Sequence, residues 1–146
     1  MVTTVGHESD LKDLLHDLIK LDYDAIDAYD AAIERLDDSK AKEALFGFRK
    51  DHERHIAELS PHLSGMGVEV PSESGAKSIL TEGKVKLAAL IGDSAILTAM
   101  ATNEIETEAA YRTASERDDI DSKLRDKFLQ GMADESIHRK WMEDRA

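Results

Sequence analysis

The chain has 146 residues, 41% of them hydrophobic and 34% charged, with a formal net charge of −12. This composition is typical of one globular domain, and so acidic a surface repels nucleic acid and anionic lipid. The absence of cysteine excludes disulfides, thiolate zinc sites and iron–sulfur clusters. Residues 1–10 have neither the basic start nor the apolar run of a signal peptide, and no segment has the roughly 20 apolar residues that span a bilayer. We therefore expect a cytoplasmic protein with no membrane or nucleic-acid partner.

The first two predicted helices form a hairpin. Apolar residues with helical spacing predict one helix over about 10–36, with Ser9 as its N-cap, and a second over 39–60, with Ser39 as its N-cap. Asp37 and Asp38 lie in the short break between the two. We place the end of the second helix at Ser60, because the proline at position 61 disfavours a helical conformation in the residue before it.

The second half of the chain predicts another hairpin. A connection rich in glycine, serine and proline covers about residues 64–83. Helices are then predicted over 84–117 and 122–144, with the polar turn at 118–121 capping the last. A connection this long suggests a crossover along the bundle, since compact domains usually have short loops. The predicted fold is an all-α four-helix bundle, a single domain over residues 1–146, made of two antiparallel hairpins joined by a long crossover. The apolar stretch 85–101 also suggests a surface for homodimer formation.

An internal repeat relates the two hairpins. Asp22, with Tyr29 seven positions later, recurs as Glu104 with Tyr111, an offset of 82 residues. The second and fourth helices repeat a pair of side chains at i and i+3 with an offset of 83 residues, as His52 with His55 and Glu135 with His138. The four pairs are equally distant from their hairpin turns and lie on the apolar stripes that should face inward.

Buried carboxylates and imidazoles cost several kcal/mol unless they are paired or bind a metal. The sequence therefore predicts a metal site in the middle of the bundle with six ligands: Asp22, His52, His55, Glu104, Glu135 and His138. Tyr29 and Tyr111 have two equal interpretations: they hydrogen-bond these ligands, or they are core tyrosines that need only one partner each.

The Glu135-Ser-Ile-His138 motif, followed by Trp141-Met142, resembles the Glu-x-x-His ligand motif of bacterioferritin, rubrerythrin and their relatives in the ferritin-like superfamily. The resemblance covers all four helices, and it is greatest to small bacterial ferritin-like domains that have no assigned activity. It implies two carboxylate-bridged ions, usually iron, that react with dioxygen or peroxide, in an oxidoreductase or an iron-handling, stress-related protein. Asp22 and Glu104 would be terminal ligands, Glu135 would bridge, and His55 and His138 would each bind one ion.

The second helix departs from the family pattern. His52 stands where the family has a glutamate, so three matched carboxylates replace the usual four. Asp51 or Glu108 is a candidate to supply the missing charge. Otherwise the site would hold a single ion, hold zinc or manganese, or bind weakly. The alternative hypothesis is a non-catalytic bundle with a relic or zinc site, which acts through self-association or a partner.

Overall fold

A computed structural model describes residues 3–73, 87 and 89–146. In order along the chain, the helices are α1 (Leu11–Arg35), α2 (Ser39–Gly65), α3 (Asp93–Ser115) and α4 (Ser122–Arg145). No strand occurs in the described residues. The predicted all-α four-helix bundle is confirmed. None of the described helices combines the length and apolarity needed to span a bilayer.

The helices pack in a ring in which α2 and α3 lie on opposite corners. The pairs in contact are α1 with α2, α3 with α4, α1 with α3 and α2 with α4. Asp22 and Tyr29 of α1 contact Tyr111 and Glu104 of α3 in reverse order, and Asp22 and Asp30 contact His52 and Arg49 of α2 in reverse order. Both helices are therefore antiparallel to α1 and parallel to each other. The end of α2 and the start of α3 thus lie at opposite ends of the bundle. The predicted connection falls partly on residues 74–83, which lie outside the described residues.

Three helices begin with an aspartate cap. Asp10 accepts a hydrogen bond from the Lys12 backbone N–H, Asp38 from that of Ala41, and Asp121 from that of Leu124. The predicted caps Ser9 and Ser39 are each wrong by one residue, whereas the polar turn before α4 does provide its cap. A carboxylate combines the hydrogen bond with a favourable charge at the positive end of the helix dipole.

The second helix extends five residues beyond the predicted end. Pro61 lies inside α2, which ends at Gly65. Proline removes one backbone hydrogen bond and costs about 3 kcal/mol in a helix interior. Leu63, which follows it, is completely buried, and burial of a leucine contributes about 1.5–3 kcal/mol. Packing of the last turn therefore offsets most of the local cost that made the sequence predict a stop.

The helix α3 begins at Asp93, whereas its predicted start is near residue 84. Leu87 and Ala89 are helical, but Leu90 and Ile91 are not, and Gly92 has φ of 90°, in the left-handed region that interrupts a helix. Residues 84–86 and 88 lie outside the described residues. Asp93 accepts hydrogen bonds of 2.9 Å from the backbone N–H groups of both Asp37 and Asp38. This contact holds the start of α3 against the α1–α2 turn. The helix also ends at Ser115, two residues before the predicted end.

Two apolar clusters occupy the two ends of the bundle. The first includes Leu14, Leu18, Leu59, Leu63 and Phe128, and the second includes Leu36, Leu45, Leu97, Met100 and Met142. Ile96, Leu97, Met100 and Ala101, in the stretch predicted to form a dimer surface, are thus buried in the chain's own core. The homodimer stays a prediction. The polar side chains of interest lie between the two clusters.

Candidate metal centre

The six residues predicted as ligands are all buried at one level of the bundle. None has more than 3% of its surface exposed. α1 provides Asp22 and α3 provides Glu104, whereas α2 and α4 each provide two side chains. Positions i and i+3 lie on one helical face, so His52 with His55, and Glu135 with His138, point inward together.

The side chains form two overlapping groups that could each hold a metal ion. Asp22, His52, His55 and Glu135 make one group, hereafter the Asp22 group, and His52, Glu104, Glu135 and His138 make the other, the Glu104 group. Within each group the candidate ligand atoms lie within 4.8 Å of one another. His52 and Glu135 belong to both groups.

Glu135 is oriented so that each carboxylate oxygen faces a different group. Its Oε1 lies 3.4 Å from His55 Nδ1, and its Oε2 lies 3.7 Å from His138 Nδ1. The terminal carboxylates lie on the outer sides, with Asp22 Oδ1 3.3 Å from His55 Nδ1 and Glu104 Oε2 3.5 Å from His138 Nδ1. Each group thus has one histidine Nδ1 between two carboxylates.

Two aspartates on α2 and α4 contact the opposite ring nitrogens. His55 Nε2 lies 2.8 Å from Asp134 Oδ2, and His138 Nε2 lies 2.7 Å from Asp51 Oδ2. Arg54 donates hydrogen bonds to Asp134, at 2.6 Å, and to Asp51, at 3.3 Å. A carboxylate on the outer nitrogen of a histidine fixes the ring so that its inner nitrogen faces a metal.

Sequence reasoning missed Asp134. Asp51 immediately precedes the pair on α2 and Asp134 immediately precedes the pair on α4, so these aspartates belong to the same repeat with the same offset. The repeat could have indicated both residues. Each aspartate contacts the histidine of the other helix: Asp51 on α2 contacts His138 on α4, and Asp134 on α4 contacts His55 on α2.

The two candidates for an additional charge lie outside the two groups. Asp51 faces the outer nitrogen of His138, and its side chain is 36% exposed. The Glu108 carboxylate accepts hydrogen bonds from Arg112, at 2.9 Å, and from Arg139, at 3.1 Å. The charge of Glu108 is therefore paired with arginine at the edge of the bundle.

The two buried tyrosines donate to the terminal carboxylates across the bundle. Tyr29 on α1 donates to Glu104 Oε1 at 2.8 Å, and Tyr111 on α3 donates to Asp22 Oδ2 at 2.5 Å. Burial and the adjacent carboxylate raise the pKa of each tyrosine well above its usual range. Both hydroxyls therefore stay protonated and hold the carboxylates in place.

Charges inside the layer are strongly coupled. Burial raises the pKa of Asp22, but hydrogen bonds from His52 and His55 and their positive charge outweigh it and hold the pKa at about 2. Burial also raises the pKa of Glu104, but the nearby charge of His52 and His138 and the hydrogen bond with His52 outweigh it and lower the pKa to about 2. Burial lowers the pKa of His52, whereas Glu104 and Asp22 raise it to about 10. Without a metal, the His52 imidazolium neutralises part of the carboxylate charge.

Four atoms of the layer lack hydrogen-bond partners although they are buried: Glu104 Oε2, Glu135 Oε1, Glu135 Oε2 and His138 Nδ1. Buried polar atoms are normally satisfied, and an exception needs an explanation. Here all four belong to residues of the two groups and face other candidate ligand atoms. Carboxylate oxygens and imidazole nitrogens suit iron, zinc and manganese, so the donor set fits a metal.

Fold and site together define a four-helix bundle with a buried layer of histidines and carboxylates that could hold metal. Residues 10–117 match the family described as Domain of unknown function (DUF2383). The match includes more than half of the chain, and the protein belongs to this family. No curated protein and no solved structure matches the chain.

Proposed function

We propose that this protein is a ferritin-like metalloprotein that binds two metal ions, most favourably iron, inside its bundle. The observation that carries the proposal is the pair of overlapping buried groups, which share Glu135 and include four carboxylate or imidazole atoms without hydrogen-bond partners. The crossover topology and the Glu-x-x-His motif on α4 support the ferritin-like class.

In this proposal the ligands divide into two half-sites. Asp22 and His55 would hold one ion, Glu104 and His138 would hold the other, and Glu135, which belongs to both groups, would contribute to both. Asp134 and Asp51 orient the histidines, while Tyr111 and Tyr29 orient the terminal carboxylates. Burial of the layer limits access of water, which strengthens electrostatic interactions with a bound cation.

Iron in such a site would supply one-electron redox chemistry. An oxidoreductase or an iron-handling role in stress follows from that chemistry and forms part of the proposal. The protein's own contribution is to bind the ions, to neutralise their charge and to keep the surrounding side chains protonated where they donate.

Titration of the metal-free protein with iron(II) under anaerobic conditions tests the proposal. We expect saturable binding of about two ions per chain, because the layer contains two groups that could each hold an ion. Exposure of the loaded protein to air should then produce a near-ultraviolet absorption band. Glu135→Gln should weaken binding of both ions, since an amide cannot neutralise two cations. Asp126→Asn is the matched control, because this exposed carboxylate lies on the same helix outside the layer. Absence of saturable binding to the unmodified protein would remove the proposal.

The equal number of imidazoles and carboxylates favours zinc as a second candidate, since zinc accepts histidine-rich ligand sets. The protein would then be a bundle stabilised by a structural metal. Elemental analysis of protein purified without added metal separates zinc from iron or manganese. A relic site predicts instead that chelation leaves the melting temperature unchanged, whereas a ligated site loses stability.

A further inference from the structure

The ring of His52 lies between the two groups and faces both. Its Nδ1 is 2.8 Å from Asp22 Oδ1 in the Asp22 group. Its Nε2 is 3.3 Å from Glu104 Oε1 and 3.4 Å from Glu135 Oε2, both in the Glu104 group. The residue is completely buried, so neither nitrogen is exposed to bulk solvent. His52 therefore presents one donor atom to each proposed ion.

The other two histidines each direct only one ring nitrogen at the two groups. His55 and His138 face the groups through Nδ1, while their Nε2 atoms contact Asp134 and Asp51. A histidine that has an aspartate on one nitrogen can offer only the other nitrogen to a metal. Among the three, His52 alone has both nitrogens directed at candidate ligand atoms of the two groups.

The charge of the direct ligands agrees with binding through both nitrogens. Two divalent ions carry four positive charges, and the carboxylates of the two groups, Asp22, Glu104 and Glu135, supply three negative charges. Asp134 and Asp51 lie outside the groups, and both pair with Arg54. An uncompensated buried charge costs several kcal/mol. A doubly deprotonated His52 ring, an imidazolate, supplies the fourth negative charge from inside the layer.

We infer that His52 bridges the two metal ions as an imidazolate, with Nδ1 bound to the ion of the Asp22 group and Nε2 to that of the Glu104 group. The inference rests on the proposed two-metal function and assigns its second bridge. As the ions bind, the protons on the two ring nitrogens of His52 leave to solvent, and both nitrogen lone pairs form coordination bonds. No oxidation or reduction takes place in this step.

NMR of the full-length protein tests the bridge directly. The protein is labelled with an NMR-active nitrogen isotope in histidine and loaded with an NMR-active cadmium isotope. We expect both nitrogens of His52 to show scalar coupling, each to a different cadmium resonance, with neither nitrogen carrying a proton. His55 and His138 should each couple through Nδ1 only, which gives an internal comparison within the same spectrum.

Failure of the inference and failure of the proposed function give different results. Two bound cadmium ions with a single coupled nitrogen on His52, or with a proton retained on that ring, overturn the bridge and leave the two-metal function standing. Fewer than two ions per chain by elemental analysis overturn both. The spectrum of the unmodified protein suffices, so the test does not depend on a variant that folds.

Two substitutions of His52 separate the need for charge from the need for a histidine. His52→Glu restores a two-ended anion, and we expect it to retain two cadmium ions. His52→Gln supplies neither the charge nor a second donor, and we expect its affinity for the second ion to fall at least tenfold. Circular dichroism first verifies that each variant is helical. Equal affinity of His52→Gln and the unmodified protein for both ions would contradict the bridge.

Discussion

At the scale of single residues, the polar layer consists of inner side chains that could bind cations and outer side chains that hold the inner ones in place. Every inner side chain at the edge of the layer has a defined outer partner: Tyr111 for Asp22, Tyr29 for Glu104, Asp134 for His55 and Asp51 for His138. In each pair, the outer partner lies on a different helix from the inner side chain that it contacts. The positions of the inner atoms are therefore set by packing between helices and not by single rotamers.

Asp134→Asn tests the outer shell at a residue that the sequence did not indicate. The amide loses the charge that orients His55 and stabilises a metal-bound imidazole, so we expect metal affinity to fall about 10- to 100-fold. Competition with a coloured chelator measures the change. The Asp51→Asn variant should show a loss of similar size through His138. Unchanged affinity in both variants would show that these aspartates serve only to pair with Arg54.

At the scale of helices, the close approach of α3 and α4 positions Tyr111. A Cβ atom added at Gly131 would lie 2.8 Å from two ring carbons of Tyr111. The absence of a side chain at this position of α4 therefore leaves room for the ring whose hydroxyl reaches Asp22. α4 thus provides the candidate ligands Glu135 and His138, and its Gly131 leaves room for the tyrosine that hydrogen-bonds Asp22.

Gly131→Ala should destabilise the protein although alanine favours helix. Forcing a methyl group against the Tyr111 ring costs about 1–3 kcal/mol through overpacking, and it should displace the tyrosine from Asp22. Denaturant unfolding measures the difference.

Gly47→Ala is the matched control for Gly131→Ala. Gly47 is exposed within α2, and no atom lies within 4 Å of an added Cβ. The Gly47→Ala substitution should stabilise the protein by about 0.5–1 kcal/mol, because glycine loses more backbone entropy on folding than alanine does. Stabilisation by both substitutions would show that the ring of Tyr111 moves without cost.

At the scale of the whole molecule, the charge layer makes stability depend on pH. The folded pKa of His52 is raised from 6.5 to about 10, so its contribution is complete below pH 6.5 and is lost as pH rises toward 10. The pKa values of Asp22 and Glu104 are lowered from 3.8 and 4.5 to about 2, so their contribution is complete above pH 4.5 and is lost as pH falls toward 2. Metal-free protein should therefore be most stable between about pH 4.5 and pH 6.5.

Thermal unfolding of chelator-treated protein over this range tests the expectation. The melting temperature should fall on both sides of the maximum. His52→Gln should show a smaller decline on the alkaline side, where His55, whose pKa Asp134 and Asp22 raise against the effect of burial, still contributes. Bound metal should remove that decline, because a metal-bound His52 no longer depends on its protons. A constant melting temperature from pH 6.5 to 10 in the metal-free protein would contradict the assigned role of His52.

The sequence by itself determined the four helices and the content of the polar layer. Apolar periodicity fixes which face of each helix points inward, and the repeat marks where acids and histidines interrupt that face. Spacing within one helix is local, so the orientation of Glu135 with His138 follows from the pitch of α4 alone.

Only the tertiary structure decided which side chains meet. The exchange of partners between helices, such as Tyr111 with Asp22, depends on how the two hairpins dock, and local periodicity holds no information about docking. The same is true of the end of α2, where burial of Leu63 outweighs Pro61, and of His52, whose two nitrogens acquire different neighbours only when all four helices surround the ring. Contacts between distant segments decide these features, because burial and charge pairing exceed the local preferences that sequence patterns express.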